Sequence, residues 1–192
     1  GPGLSNTLSS IKYIKNILKT LASKTSIKLV LDASGFLPIY KDIQLLDKLP
    51  SKTVITPHYA EFSKIFRINI DKVKSDPISA CLSVKKHFKE GKVLILKGPI
   101  TIIMFYCKKE GLFKLNLLNH GTSFLANAGS GDFLSGIIAG LAINNNIKTA
   151  SIVGSYIHFD LSQIQFSKGF FDFSLELLMN QIPSVLKGYY AS

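Results

Sequence analysis

Three short apolar runs, each closed by a polar residue, constrain most strongly what this chain can fold into. They span residues 27–32, 53–56 and 93–97 and end at Asp32, Thr56 and Lys97. Each run is rich in branched apolar residues and too short for a buried helix, so each predicts a buried strand. Stretches with helical patterns separate the runs. Strands that alternate with helices predict an α/β fold with a largely parallel sheet.

Apolar periodicity and end signals predict the remaining elements. Helices are expected at residues 9–22 and 76–91, from the glycine-rich segment 126–136 to residue 144, and at 148–165 and 174–187. Two further strands are expected at residues 101–107 and 112–117. Because the link of residues 98–100 is tight, we expect the strands around and after it to be antiparallel neighbours.

The composition predicts one globular domain that spans residues 1–192. Hydrophobic residues make up 46% of the 192 residues, enough for a single core that buries about two-thirds of the unfolded surface. The mean hydropathy is high at +0.25, but no apolar run approaches the roughly 20 residues that span a bilayer. We expect no membrane partner. The chain opens without a signal peptide pattern and has two cysteines, which predicts a cytoplasmic location.

The net charge of +11 raises the question of nucleic-acid binding. Arg67 is the only arginine among the 23 basic residues, and the lysines are spread along the chain without a basic block. Recognition of bases and backbone phosphates relies heavily on arginine. We therefore predict no nucleic-acid partner, and we interpret the lysines as a solvated surface that favours anionic small molecules.

The polar residues that close the predicted strands mark a candidate ligand site. Open parallel sheets bind ligands beyond the carboxyl ends of their strands. Asp32, Thr56 and Lys97 stand at three such ends, and His58 follows closely after Thr56. His58 could hydrogen-bond a substrate, or it could have only a structural role. Lys97 could bind a phosphate, or its ammonium could extend to solvent from a hairpin.

The glycine-rich segment 126–136 carries the strongest chemical signal. It reads Ala-Asn-Ala-Gly-Ser-Gly-Asp-Phe-Leu-Ser-Gly, and its small residues let the backbone approach a ligand closely. An apolar helix follows at once, and its free N–H groups and positive dipole end predict an anion-binding turn. Asp132 lies in the first turn of that helix. It is either a general base for a substrate hydroxyl or an ordinary acid that stabilises the helix.

Motif spacing argues against several other chemistries. The sequence lacks the P-loop pattern, a dinucleotide fingerprint after its first strand, and the Gly-x-Ser-x-Gly elbow of hydrolases. Its four histidines have no metal-ligand spacing, so we predict no metal site built from protein residues. His158 lies among apolar residues and is expected to pack in the core, as are Cys81 and Cys107.

Five segments form an ordered set of motifs. They are Gly-Pro-Gly-Leu from Gly1, Leu-Val-Leu-Asp-Ala from Leu29, Ile-Thr-Pro-His-Tyr-Ala-Glu-Phe from Ile55, Leu-Lys-Gly-Pro-Ile-Thr from Leu96, and the glycine-rich run from Leu125 to Gly136. This set resembles the ADP/ATP-dependent NAD(P)H-hydrate dehydratases, a branch of the ribokinase-like superfamily. The chain departs from the family pattern where Ala60 and Ala128 replace glycine, Ser130 replaces threonine and Thr122 replaces asparagine.

The resemblance implies a ribokinase-like three-layer αβα sandwich with a mostly parallel central sheet. Family members carry further strands before the Gly-Pro-Gly-Leu turn, so residues 1–192 would be the C-terminal two-thirds of the catalytic domain, lacking the N-terminal third. Gly1-Pro2 could also be left by proteolytic cleavage and only imitate the motif. A sheet edge left open by missing strands predicts a homo-oligomer or association with a missing N-terminal chain.

The resemblance also implies a reaction, the repair of hydrated NADH or NADPH. ADP or ATP would phosphorylate the ring hydroxyl of (6S)-NAD(P)H-hydrate, and elimination of phosphate would restore NAD(P)H. Two alternatives stay open. One is a small-molecule kinase of the same superfamily, and the other is a non-catalytic nucleotide-binding remnant or a subunit of a split enzyme.

The implied site residues follow from the matched motifs. Asp132 would act on the hydroxyl, and together with Gly3 and His58 it would contact the hydrated dinucleotide. The adenine nucleotide would be held by Lys97, Gly98, Pro99, Ile100, Thr101, Gly129, Ser130 and Gly131. Mg²⁺ is expected to shield the phosphates.

Overall fold

A computed structural model of the chain describes residues 1–89, 91–119, 128–167 and 175–190. Its strands are β1 (Leu29–Leu31), β2 (Thr53–Ile55), β3 (Val93–Leu96), β4 (Ile100–Cys107) and β5 (Leu112–Asn119). All five lie where the sequence predicts strands. The first is shorter than expected, because parallel pairing with β2 covers only three residues of the predicted run 27–32.

Helices surround these strands. They are α1 (Leu8–Ala22), α2 (Leu37–Lys41), α3 (Gln44–Lys48), α4 (Tyr59–Phe66), α5 (Ile70–Ser75), α6 (Pro77–Ser83), α7 (Ser130–Ala142), α8 (Ile147–Ser167) and α9 (Leu175–Tyr190). Two short 3₁₀ helices span Ala33–Phe36 and Lys85–Phe88. Within the described ranges, no helix is long and apolar enough to cross a bilayer.

The strands form one sheet in the order β1-β2-β3-β4-β5. β1, β2 and β3 pair in parallel, with Leu31 opposite Ile55. β4 and β5 continue the sheet as antiparallel neighbours, with Leu96 opposite Ile102 across the tight link. Only β4 therefore runs against the other four strands of the described sheet. The predicted α/β class, mostly parallel sheet and hairpin are confirmed.

Two apolar cores lie on the two faces of the sheet. The first contains Phe36, Phe62 and Phe88 and packs α1 to α6 against one face. The second contains Val93 and Ile138 and packs α7 and α8 against the other face. Helix α9 packs on α7 and α8 through a separate small cluster. The result is the three-layer helix–sheet–helix arrangement that the resemblance implies.

Helix α7 crosses β1 in the opposite direction and is tied to it at both ends. At the start of β1, the Lys28 ammonium donates to the carbonyls of Ala142 and Ile143, at 2.6 and 3.3 Å, where α7 ends. The negative end of the helix dipole also attracts a cation at this position. At the other end of β1, Asp32 accepts a hydrogen bond from Ser135 in α7. These ties aim the N-terminus of α7 at the carboxyl edge of the sheet.

The predicted helix 76–91 is wrong in its extent. It begins as expected, with the Asp76 carboxylate accepting from the Ser79 N–H at 3.0 Å and Pro77 in the first turn. It then ends at Ser83, because Val84 adopts φ −104° and ψ 6° and the chain tightens into a 3₁₀ turn. Residue 90 lies outside the described residues.

The two cysteines differ in burial. Cys81 is fully buried, and this burial raises the pKa of its thiol to about 12, so it is inert packing as predicted. Cys107 is only half-buried, and its thiol lies 3.6 Å from a Glu110 carboxylate oxygen. The prediction that Cys107 is buried is therefore wrong, because Cys107 is the last residue of β4 and faces the turn into β5.

Candidate functional site

The carboxyl ends of the three parallel strands meet at one edge of the sheet, as the sequence predicts. The Thr56 N–H donates to the Leu31 carbonyl at 3.2 Å, and the Lys97 N–H donates to the Pro57 carbonyl at 2.8 Å. A further bridge of β type joins His58 to Lys97. These backbone contacts place Thr56, His58 and Lys97 side by side.

A buried ion pair joins two of the strand ends. The Lys97 ammonium lies 3.0 Å from Asp32 Oδ1, and the two side chains are 21% and 3% exposed. Lys97 therefore does not extend to solvent, and that alternative interpretation is wrong. The neighbouring Ala33 has φ +48°, an uncommon value for a residue other than glycine, and its N–H donates to the same Asp32 oxygen at 2.9 Å.

The N-terminus of α7 lies against this ion pair. Gly129 adopts φ +88° just before the helix, and no side chain of the described residues caps α7. Within this part of the chain the first-turn N–H groups therefore lack a side-chain partner, and helix N-termini of this kind bind anions. A Cβ atom at Gly131 would lie 2.8 Å from Lys97 Nζ. Only glycine therefore lets the ammonium sit this close to the helix backbone. The predicted residues Thr122 and 125–127 lie outside the described part of the chain.

Asp132 follows Gly131 in the first turn of α7, and its side chain is exposed. Within the part of the chain that the structure describes, no hydrogen bond or ion pair holds its carboxylate. The Asp132 carboxylate can therefore contact a ligand that binds at the turn. Both interpretations from the sequence, a general base and an acid that stabilises the helix, place an exposed carboxylate at this position.

Ser130 and His158 form a second buried contact beneath the turn. Ser130 Oγ lies 2.9 Å from His158 Nε2, and the two residues are 2% and 8% exposed. Burial lowers the pKa of His158 from 6.5 to about 4, opposed by a hydrogen bond with the Ser130 backbone and assisted by the Lys97 charge. His158 is thus a neutral core residue, as expected, but it also supports the turn.

We expect the stability of the protein to fall as the pH drops from about 6.5 toward 4. In this window the unfolded His158 binds a proton that the folded state excludes, so protonation favours unfolding. The full difference between the two pKa values corresponds to a loss of about 3 kcal/mol in the free energy of unfolding. Urea unfolding at pH 7 and pH 4.5 measures it. The variant His158→Gln, which cannot titrate, should lose most of this dependence; an unchanged dependence in the variant would contradict the assignment.

His58 caps α4, which begins at the next residue. Its Nδ1 accepts from the N–H groups of Ala60 and Glu61 at 3.1 and 3.3 Å, and Glu61 Oε2 accepts from the His58 N–H at 2.8 Å. This is a reciprocal capping box. The structural interpretation is therefore confirmed for Nδ1. The His58 side chain is 55% exposed, so a substrate can reach its ring, and its Nε2 lies 3.5 Å from the Glu61 Oε2 that completes the capping box.

The hairpin that follows Lys97 passes under an aromatic ring. A Cβ atom at Gly98 would lie 2.4 Å from the Tyr59 ring, so Gly98 is required for this packing. Pro99 is exposed, while Ile100 and Thr101 are half-buried at the start of β4. The predicted nucleotide-binding hairpin thus lies directly beside the His58 turn.

The N-terminal turn lies near the same edge. Gly3 is exposed and adopts φ +80°, which favours glycine. The Gly1 nitrogen lies 3.4 Å from the position of a Cβ at Gly35, and Gly35 follows Asp32 by three residues. Gly3 itself has no neighbour within 4 Å of a built Cβ. The described contacts therefore bring Gly1, and not Gly3, close to the segment that follows β1.

Sequence reasoning missed two residues of this arrangement and the contacts of a third. Asp32 was placed at the candidate ligand site as a strand end, but its links to Lys97 and α7 were not predicted. Ser135 lies four residues after Gly131, and this spacing places both on one face of α7. Tyr59 covers Gly98, and nothing in the sequence indicates that contact.

Comparisons with known proteins find similarity to enzymes that act on NAD(P)H-hydrate. Residues 1–184 match a family model described as NAD(P)H-hydrate dehydratase. The chain is 30% identical over 160 residues to the bifunctional NAD(P)H-hydrate repair enzyme Nnr of Moorella thermoacetica, covering 82% of this chain and 28% of the relative. It is also 30% identical over 169 residues to the ADP-dependent (S)-NAD(P)H-hydrate dehydratase of Streptococcus pneumoniae, covering 85% of this chain and 53% of the relative.

A solved structure shares the fold. The ADP/ATP-dependent NAD(P)H-hydrate dehydratase of Bacillus subtilis, crystallised with ATP and Mg²⁺, superposes with a TM-score of 0.72 at 24% identity. The superposition covers 98% of this chain and 63% of the Bacillus chain. The present chain therefore spans from about a quarter to less than two-thirds of the length of these three proteins.

Proposed function

Because the chain belongs to the NAD(P)H-hydrate dehydratase family, we propose that it dehydrates hydrated NADH or NADPH at the expense of ADP or ATP. The predicted family and the ribokinase-like fold are confirmed. One observation carries the proposal. The Lys97 ammonium lies against Gly131 at the N-terminus of α7, and the exposed Asp132 carboxylate comes next in the chain. Transfer of a phosphoryl group to a hydroxyl needs both an anion-binding turn and a nearby base.

In the proposed first step, the Asp132 carboxylate accepts the proton of the substrate's ring hydroxyl. The hydroxyl oxygen bonds to the terminal phosphorus of the nucleotide, and the bond from that phosphorus to its bridging oxygen breaks. ADP thereby leaves AMP, and ATP leaves ADP. The backbone N–H groups at Gly129, Ser130 and Gly131, together with Lys97, stabilise the charge on the moving phosphoryl group.

The second step eliminates phosphate from the ring. The carbon–oxygen bond breaks and its electron pair leaves with phosphate. The neighbouring ring carbon loses a proton to water, and the electron pair of that carbon–hydrogen bond forms the restored double bond. Phosphate is a far better leaving group than hydroxide, which is why a nucleotide is consumed. His58 Nε2 and the Gly3 turn, which border this edge, are proposed to contact the dinucleotide.

Mg²⁺ fits the site as a companion of the nucleotide. Among the described residues, no group of three or more His, Cys, Asp or Glu side chains could hold a metal ion. Mg²⁺ usually binds through phosphates, waters and one or two carboxylates, and Asp132 is the exposed carboxylate at the turn. When bound, Mg²⁺ would neutralise phosphate charge.

The nucleotide site is proposed to be completed by the residues of the hairpin after Lys97, which are Gly98, Pro99, Ile100 and Thr101.

We also propose that residues 1–192 form the C-terminal two-thirds of one catalytic domain. The Bacillus structure, of which the chain covers 63%, supports this. β1 is an edge strand of the described sheet, and an open edge favours pairing with a further strand. That strand would come from preceding chain, from a second polypeptide, or from another copy in a homo-oligomer. A cytoplasmic location belongs to this proposal and is supported by the two unpaired cysteines.

The test is an assay of hydrated NADH with the protein, Mg²⁺ and either ADP or ATP. We expect the absorbance of the dihydronicotinamide to recover only when nucleotide is present. The assay is run with the chain alone and with the N-terminal third of a relative supplied as a separate polypeptide. A stable phosphorylated product would instead indicate a kinase. Nucleotide binding without turnover in both arrangements would indicate a non-catalytic remnant.

A further inference from the structure

Asp32 is a buried acid for which the proposed chemistry has no direct use. It is 2% exposed, and donors from three parts of the fold converge on its carboxylate. Oδ1 accepts from the Lys97 ammonium at 3.0 Å and the Ala33 N–H at 2.9 Å, and Oδ2 accepts from the Ser135 hydroxyl at 2.9 Å. The carboxylate therefore links the end of β1, the end of β3 and the first turns of α7.

The charge of Asp32 offsets the repulsion between the Lys97 ammonium and the N-terminus of α7. The N-terminus of a helix carries a partial positive charge and repels a cation, yet the Lys97 ammonium lies beside Gly131 in the first turn of α7. Its charge even contributes to the lowered pKa of the nearby His158. Among the described side chains, Asp32 is the acid paired with this ammonium. Without Asp32, the lysine would turn away from the helix end toward solvent.

Stability alone is a weak explanation for the pair. Burying a carboxylate costs several kcal/mol of hydration, and an ion pair that compensates it is often no better than apolar packing. A pair that instead fixes a cation beside an anion-binding turn has a binding role. Because the pair already restricts the lysine side chain, ligand binding costs less side-chain entropy than it would with a mobile lysine.

We propose that Asp32 is the positioning residue of the phosphoryl site: it holds the Lys97 ammonium against the N-terminus of α7, where it is preorganised to contact the terminal phosphate of the nucleotide. Ser135 completes the device by tying the carboxylate to α7. The inference rests on the proposed function only in naming a nucleotide as the ligand. The placement of Lys97 by Asp32 can be tested without one.

A double-mutant cycle with Mg·ADP in titration calorimetry tests the binding role. Asp32→Asn keeps the shape of the side chain but removes its charge, and we expect it to weaken ADP binding about tenfold, within the range of coupled neighbours. Lys97→Met should weaken binding at least as much. In the Lys97→Met background, Asp32→Asn should change the affinity less than about twofold. The control is Asp42→Asn, which removes the acid of an exposed ion pair with Lys15 and should leave the affinity unchanged.

Acylation of lysines, read by peptide mass spectrometry, tests the placement without nucleotide. In the wild-type protein Lys97 should react more slowly than exposed lysines such as Lys12, and in Asp32→Asn its rate should rise at least threefold. Circular dichroism at pH 7 confirms that each variant is folded. Additive effects in the cycle, or an unchanged Lys97 rate in Asp32→Asn, would overturn the inference. If the wild type binds no ADP, the proposed function fails, and the acylation result alone decides whether Asp32 positions Lys97.

Discussion

Replacing Asp132 by asparagine is expected to lower the turnover number for dehydration by 10²- to 10⁴-fold, roughly the contribution of a general base. Asparagine keeps the shape and polarity of the side chain, but it cannot accept the proton of the substrate's hydroxyl. Asp132 is exposed in the first turn of α7 and no contact in the described part of the chain depends on it. Stability should therefore change by less than about 1 kcal/mol. Steady-state kinetics and urea unfolding measure the two effects.

A matched control separates catalysis from helix stabilisation. Asp71 is also an exposed acid in the first turn of a helix, α5, on the opposite face of the sheet from α7. Asp71→Asn should remove a similar dipole interaction and leave turnover unchanged. Equal, small effects of the two substitutions would show that Asp132 is an ordinary helix-stabilising acid, and the assignment of the base would be wrong.

Gly98→Ala is expected to destabilise the fold by about 1–3 kcal/mol, as overpacking of a tight contact does. The added Cβ would lie 2.4 Å from the Tyr59 ring, far inside van der Waals contact. The ring must swing away, and Tyr59 begins α4 beside His58. We therefore also expect the affinity for Mg·ADP to fall, since the Lys97 hairpin must shift. Urea unfolding and calorimetry measure both losses.

Two further variants give the glycine experiment its control. Gly136 lies in α7, and no atom of the described residues comes within 4 Å of a Cβ at this position, so Gly136→Ala should be neutral or stabilise by about 0.5–1 kcal/mol. In a protein already carrying Tyr59→Ala, the Gly98→Ala substitution should cost much less, because the overlapping ring is gone. If Gly98→Ala costs as much without the ring as with it, the loss comes from the backbone and the packing argument fails.

The strands and the site edge were predictable because their signals are local. Runs such as 93–96 are apolar, β-branched and bounded by polar residues, and Val93–Leu96 was found at the predicted limits. The short helices α2, α3 and α5 were not predicted. Each has five or six residues, too few to show an apolar period. Tertiary packing, with Ile39, Leu45 and Val73 buried, holds them in place.

The chemistry of the site was predictable only in part. The glycine turn, Lys97 and His58 each stand out in the sequence because a strand or helix boundary falls there. Their partners do not stand out. Asp32 and Lys97 are 65 residues apart in the chain, and Asp32 and Ser135 are 103 apart. Such contacts depend on how the sheet brings distant segments together, and no spacing rule for one element reveals them.

According to the proposed function, a phosphoryl group passes from the nucleotide to the hydroxyl of the hydrated dinucleotide and then leaves as phosphate. The most direct test of this claim is stoichiometry in one reaction, with NADH, orthophosphate and the shortened nucleotide measured together. We predict that the three products appear in equal amounts, with no orthophosphate formed when hydrated NADH is omitted. Recovery of NADH without consumption of nucleotide would contradict the claim.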